Sequence, residues 1–219
     1  MAIVQYRTVF ARLSVEALAA WREVPAAIAT DVLNRGFSMS GDIAPIKPGL
    51  RMVGQARTLG SMVADSSGVH VLCDLAEPGD VLVMDMGDYV GRASWGGNAT
   101  RVAMMKGAAG VVLNGAVRDA AEIRELGFPV FCRAAVPGGP HKGHGGNIDL
   151  PVAVGGVVVS PGDIIIGDDD GITVVPLSMA SEALLAAQAL IAKESDWVAE
   201  IEKGRSMANI LNLKPDKVV

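Results

Sequence analysis

The feature that most constrains this chain is a run of alternating strand and helix signals between residues 93 and 133. ASWGGNATRVAMMKGA (93–108) has a glycine-rich entry and a helical body. Ala99, Val102, Ala103 and Lys106 follow helical spacing there, and Gly110 is expected to end the helix. VVLNG (111–115) then reads as a buried strand, RDAAEIRELG (118–127) as a short helix closed by Gly127, and PVFCR (129–133) as the next strand. Units this short point to parallel β/α architecture, because a parallel neighbour needs a crossover, which a helix supplies.

The flanks extend the pattern. RMVGQARTL (51–59) alternates as a strand does, residues 68–76 read as a short helix, and VLVMD (81–85) is apolar enough to be buried on both faces. Residues 14–35 read as helix, with Ser14 capping SVEALAAWREV, Pro25 in first-turn position for PAAIATDVLNRG, and Gly36 at the end. After residue 136, PGGPHKGHGGN is a long loop. VAVGGVVVS, DIIIG and ITVVP are short β-branched strands, expected to be mostly antiparallel. Residues 178–204 form a long amphipathic helix. Its Leu184, Leu185, Ala187, Leu190, Ile191 and Trp197 are generous for one helix face, so it is expected to help bury a subunit interface. No repeat or linker divides the chain. One α/β domain over residues 1–219 is expected, with helices flanking parallel and antiparallel strands.

Composition removes several classes of function. Aromatics are only 4% of the 219 residues, so the core must come from Val, Ile, Leu, Ala and Met; Met62, Met104 and Met105 are read as core filler. The net charge is −5 with no basic stripe, which leaves nucleic-acid binding without an electrostatic footprint. No apolar run approaches the roughly 18 residues of a membrane span, and MAIVQYRTVF does not read as a secretory signal. Cys73 and Cys132 stand far apart, outside any CxxC, and read as reduced thiols of a cytoplasmic protein.

Four places could carry chemistry. Arg118-Asp119, with Glu122 following, lies where a buried strand meets a helix, the edge at which parallel α/β proteins bind ligands. Arg118 can clamp a carboxylate with its fork. Asp119 can ligate a hard divalent cation, or it can cap the following helix with Glu122 as capping-box partner; one carboxylate can do both. Trp95-Gly96-Gly97-Asn98-Ala99 is either an anion-binding helix entry or a plain turn. His141-Lys142-Gly143-His144 is either a partial metal site or a flexible, partly exposed loop, with Lys142 a cation for an anionic substrate. Gly167-Asp168-Asp169-Asp170-Gly171 reads as a hairpin turn, since the calcium-loop pattern is missing.

GGNATRVAMMKGAAGVVLNGAVRDAAEIRELGFPVF resembles the core motif of the RraA-like family, which includes the regulator of ribonuclease activity A and the class II pyruvate aldolases acting on 4-hydroxy-4-methyl-2-oxoglutarate. The match rests on the twenty residues between Gly97 and Arg118-Asp119, on Glu122 three residues after Asp119, and on the flanking GVVLNGAVRD and GFPVF. It runs from about residue 25 to 205. The resemblance implies a swivelling β/β/α fold forming homotrimers or hexamers with active sites between subunits. It implies that the backbone of Gly96, Gly97, Asn98 and Ala99, together with Arg118, holds a pyruvate unit. It places Asp119 on Mg²⁺ (or Mn²⁺ or another divalent cation), with Glu122 and a neighbouring subunit's equivalent of Glu194 completing the metal and water network, and Lys142 at the site. The position of Gly97 is usually an acid in the family, which is a departure here, whereas Glu122 matches the members with aldolase activity.

The implied activity is metal-dependent cleavage of a β-hydroxy-α-keto acid through a pyruvate enolate, whose charge a divalent cation and an Arg can share. Decarboxylation of oxaloacetate passes through the same enolate. The substrate hydroxyl proton needs a general base, either metal-bound water or an acid. The rival expectation is a non-enzymatic regulator binding a ribonuclease or helicase. A third is a related lyase or hydrolase acting on another keto acid, for which Gly97 opens room.

Overall fold

The computed structural model describes residues 2–215 and Lys217. The chain runs β1 (Ile3–Gln5), α1 (Val15–Trp21), α2 (Ala26–Val32), β2 (Ala44–Pro45), β3 (Met52–Ser61) and α3 (Ser67–Leu75). It continues through β4 (Asp80–Asp85), β5 (Ala93–Trp95), α4 (Gly97–Met105), β6 (Gly110–Val117), α5 (Ala120–Leu126) and β7 (Val130–Ala135). β8 (Gly146–Ile148), β9 (Val152–Val154), β10 (Val157–Val159), β11 (Ile164–Asp168) and β12 (Gly171–Val175) follow, then α6 (Ala180–Glu202) and α7 (Met207–Ile210).

β3, β4, β6 and β7 lie side by side and parallel, as the alternating pattern requires. β3 is long enough to hold two partners along its far edge: β11 pairs antiparallel with Met52 to Gln55, and β8 with Leu59 to Ser61. The β11–β12 and β9–β10 hairpins are antiparallel, as their composition suggests. This mixed α/β sheet with flanking helices is the expected architecture.

Strand alternation sorts the core by face. Leu82, Met84, Val111 and Leu113 point toward α3, α4 and α5, packing with Leu72 and Ala103. Val81, Val83, Val112 and Phe131 point to the other face, against Ile165 and Val174 of the β11–β12 hairpin. The outer side of that hairpin, through Ile164 and Ile166, packs on Trp21, Ile28 and Ala187 of α1, α2 and α6. Both cysteines are free and buried; burial raises Cys73 to about 12 and Cys132 to about 11, which makes them inert thiols.

Several expectations need correction. The stretch 14–35 is two helices, because Pro25 sits at the N-cap of α2 in extended backbone (ψ 150°), and α2 ends at Val32, before left-handed Asn34 and Arg35. Gly107, with φ +77°, follows the end of α4, while Gly110 starts β6. Met62, Met104 and Met105 are not core filler: Met62 lies beyond the end of β3, the other two lie on the outer side of the α4 C-terminus, and Met105 is 75% exposed. On α6, Ala187 is buried and Leu184, Leu190 and Ile191 pack within their own chain, so the outward apolar residues are Leu185, Val198 and Ile201. The strands β1 and β2 carry too few residues to show a period.

Candidate active site

The site is built where β6 ends. The β6–β7 register shifts between Leu113 and Ala116, and beyond that irregularity β6 takes β5 as a parallel partner, Ala93 opposite Ala116 and Trp95 opposite Val117. Irregular pairing of this kind re-aims the chain at a strand end. The Arg118 N–H donates to the Trp95 carbonyl at 2.9 Å, which brings Arg118-Asp119 beside Gly96-Gly97. Trp95 is itself pinned: its indole N–H donates to Thr100 Oγ1 (2.8 Å), and that hydroxyl donates to the Gly96 carbonyl (3.1 Å).

Asp119 occupies the N-cap position of α5, yet it makes no side-chain cap bond there. Its backbone is left-handed, φ 57° and ψ 34°, a conformation that non-glycine residues seldom hold without cause. The turn directs its carboxylate back to the preceding helix, where Oδ2 accepts the Gly97 N–H at the start of α4 (3.0 Å). The capping-box expectation is therefore wrong in its partner: Asp119 caps α4 rather than α5. Glu122 does not reach back either; it pairs with Arg101 at 2.9 Å. Oδ1 of Asp119 has no hydrogen-bond partner among the described residues. Arg118 Nε stands 3.6 Å from Oδ2, and both side chains are nearly half exposed.

The glycines are explained by close approach. A Cβ on Gly96 would stand 2.7 Å from Asp119 Oδ2 and 3.1 Å from Arg118 Cγ. Gly96 itself is plainly extended (φ −167°), so space, not strain, excludes a side chain. A Cβ on Gly97 would collide with Glu122 Oε2, so the carboxylate of Glu122 lies where a side chain at 97 would begin. A Cβ on Gly139 would meet Arg118 Nη1 at 2.9 Å.

Gly96, Asn98, Ala99, Arg118, Asp119 and Lys142 line one cleft of about 170 Å³. Gly97 is not in the lining, and its N–H is spent on Asp119 Oδ2. Glu122 is not in the lining, and Glu194 lies half-buried on α6, also outside the lining of its own chain. Sequence reasoning missed the α3 wall, where Ser66 and His70 face the cleft. The available signal was their spacing of four residues, which places both on one face of a helix. Burial, then the charge of Lys142, lowers the pKa of His70, so the ring is neutral at pH 7. The His141–His144 loop has exposed side chains, but its backbone is anchored: the His141 N–H donates to the Ala64 carbonyl (2.7 Å) and the His144 N–H to Asp65 Oδ2 (3.1 Å). Gly167–Gly171 is the expected hairpin turn, with the carboxylates of Asp168 and Asp169 spent on backbone N–H groups.

A family model described as RraA-like, Aldolase/RraA, matches residues 26–174. The chain belongs to the RraA-like family. A Halalkalibacterium halodurans protein, provisionally named a 4-hydroxy-4-methyl-2-oxoglutarate aldolase, is 35% identical over 77% of this chain and 80% of its own. The 4-hydroxy-4-methyl-2-oxoglutarate aldolase of Thermus thermophilus is 39% identical over 58% of this chain and 76% of its own. Streptomyces coelicolor RraAS2, described as an unusual member of the RNase ES inhibitor RraA family, superposes with a TM-score of 0.76 at 30% identity, over 90% of this RraA-like chain and all of its own. No helix among the described residues is long and apolar enough to cross a membrane.

Proposed function

We propose that this RraA-like protein is a divalent-metal-dependent lyase that cleaves a β-hydroxy-α-keto acid, of the 4-hydroxy-4-methyl-2-oxoglutarate type, through a pyruvate enolate. The observation that carries this reading is Asp119. Its left-handed turn keeps the carboxylate off its own helix, commits Oδ2 to Gly97, and leaves Oδ1 open in a cleft shared with Arg118. The donor chemistry fits Mg²⁺ or Mn²⁺, which take a hard carboxylate oxygen and retain several waters. From this chain Asp119 is the carboxylate in position to hold the ion. Glu194 of a second copy is the further partner implied by the family resemblance, whereas Glu122 would first have to leave Arg101. When bound, the ion supplies Lewis acidity toward the oxygen that gains negative charge.

The chain's own groups do the rest. The Arg118 fork suits the carboxylate of the keto acid and fixes it by two parallel hydrogen bonds. The N-terminus of α4 adds a positive potential on the same side. As the substrate hydroxyl passes its proton to a general base, a water or a carboxylate, its oxygen becomes a carbonyl and the adjacent C–C bond breaks. The electron pair passes to the pyruvate half as an enolate, and protonation of the enolate carbon gives pyruvate. Arg118 and the helix terminus stabilise that charge without reorganising, which is where such sites obtain most of their rate. Oxaloacetate, losing CO₂, reaches the same enolate, so decarboxylation is a second expected activity.

The test is pyruvate formation by the purified protein from 4-hydroxy-4-methyl-2-oxoglutarate and from oxaloacetate, with Mg²⁺ and then with a chelator. Mg²⁺-dependent pyruvate from the first substrate is expected. No pyruvate from either would overturn the lyase reading in favour of a non-catalytic regulator. A site that draws on Glu194 of a second copy also requires a homo-oligomer, trimer or hexamer, in which Leu185, Val198 and Ile201 of α6 have somewhere to be covered. A sedimentation mass near 22.6 kDa at micromolar protein would exclude that assembly.

A further inference from the structure

A water or a carboxylate can take the substrate hydroxyl proton, but the cleft wall itself offers a better-placed acceptor. Four titratable side chains line the cleft: His70, Arg118, Asp119 and Lys142. Arg118 and Lys142 are cations and have no lone pair to offer. Asp119 spends Oδ2 on the Gly97 N–H and, in the lyase reading, Oδ1 on the ion. His70 is left. Its imidazole forms no hydrogen bond or ion pair among the described residues, and its side chain is open enough for a bound substrate to reach.

The helix beneath it fixes where the ring stands. α3 turns Val69, Leu72 and Cys73 into the core, which leaves His70 on the side that faces Gly96, Asn98 and Ala99 across the cleft. Gly68 seats the helix closely on β3, since a Cβ there would stand 2.8 Å from a Leu59 methyl. Asp65 ties down the N-terminal end: Oδ1 accepts the Ser67 N–H (2.8 Å) and Oδ2 the His144 N–H (3.1 Å). Anchoring of this kind matters for a proton acceptor, because transfer requires hydrogen-bond reach. The cleft, at about 170 Å³, is well below the roughly 300 Å³ at which ligand pockets usually begin, so a keto acid gripped by Arg118 lies against the α3 wall. Partial burial, then the Lys142 charge, holds the His70 pKa below the usual 6.5, so the ring is neutral at pH 7 with a lone pair available.

We infer that His70 is the general base of the cleavage step, an imidazole nitrogen taking the proton from the substrate hydroxyl. The inference rests on the lyase reading. The O–H electron pair forms the new carbonyl, the C–C bond breaks, and its electrons become the enolate of the pyruvate half. The imidazolium then releases the proton to water, and the enolate carbon takes one up from water, so no proton is gained or lost over the cycle. The neighbouring Lys142 charge favours that release. Oxaloacetate has no hydroxyl proton to give up, so its decarboxylation reaches the enolate without a base.

That difference supplies the test. Full-length wild type and His70→Gln are assayed with Mg²⁺ on 4-hydroxy-4-methyl-2-oxoglutarate and on oxaloacetate, and the affinity of each for pyruvate is measured by calorimetry. Loss of a general base is expected to slow cleavage about 10²-fold or more. Pyruvate affinity should hold, and the loss in decarboxylation should be at least about tenfold smaller than the loss in cleavage. Equal losses on the two substrates, or a matching loss of pyruvate affinity, would mean that His70 only shapes the cleft. No loss on either substrate would give the proton to a water or a carboxylate. Each of these overturns the inference while the lyase reading stands. No cleavage by wild type overturns the lyase reading, and the base with it.

Discussion

Two helices of this RraA-like protein begin under the carboxylate of an aspartate distant in sequence, and the two cases differ in an instructive way. At α2, Asp168 Oδ2 accepts the Ala26 N–H at 2.8 Å from 142 residues away, because Pro25 offers no side-chain acceptor. At α4, Asp119 Oδ2 accepts the Gly97 N–H at 3.0 Å from 22 residues away. Asp168 spends its other oxygen on the Asp170 N–H and sits in a tight hairpin with ordinary backbone. Asp119 keeps its other oxygen open, holds a left-handed backbone, and stands beside Arg118 against two glycines that could carry no Cβ without a clash. The same hydrogen bond is purely structural in one place. In the other it accompanies backbone strain and unspent acceptor capacity, the combination expected where a fold holds a group ready for chemistry.

Parallel substitution breaks or sharpens that contrast. The largest effect is expected from Asp119→Asn. Asn tolerates left-handed backbone and can still accept the Gly97 N–H, but it brings no charge to a cation. Melting should stay near wild type while Mg²⁺-stimulated pyruvate formation falls about 10²-fold or more. Asp168→Asn should leave turnover unchanged, and Asp168→Ala should cost about 1 kcal/mol in denaturant melts. Equal activity in the two Asn variants would erase the distinction between the aspartates. Next in size is Arg118→Lys, where a point charge replaces the fork; kcat/KM should fall at least about tenfold with stability unaffected.

Gly97→Asp tests the same corner. The new side chain would enter the space held by the Glu122 carboxylate, force it away from Arg101, and set two like charges together. Activity should fall about tenfold, with partial recovery when Glu122→Ala is added. A rise in activity would show instead that an acid at 97 is what the site lacks. The smallest effect concerns His70, whose pKa is lowered by burial and then by Lys142. The unfolded chain binds that proton more readily, so the stability contributed by the neutral ring is present above the usual 6.5 and lost as pH falls below it. Denaturant melts of His70→Gln should show a flatter loss of stability toward low pH than those of wild type.

Much of the architecture was legible in the sequence. The apolar stretch 81–85, the alternation in 51–59, and the Gly127 stop each correspond to an observed element, because period and punctuation act locally. The helix termini were less legible. α4 stops at Met105, before the left-handed Gly107 rather than at Gly110, and α2 stops before Arg35 and Phe37, whose positive φ no local rule announces. In the site, the cleft lining from Gly96 to Lys142 was anticipated, but Ser66 and His70 were not. A serine ahead of a helix reads as a cap, and only the competing Asp65 carboxylate leaves its hydroxyl spare.

The sequence by itself determined that strands alternate with helices and that an Arg-Asp pair follows a buried strand, since both depend on the order of side chains along a few turns of backbone. The tertiary structure decided which helix that aspartate caps and whether the acid three residues on faces the cleft or Arg101. Those choices depend on hydrogen bonds between groups 22 and 21 residues apart. Local propensity carries no information about which of several competing donors will arrive first at a carboxylate; packing of the sheet and its helices does.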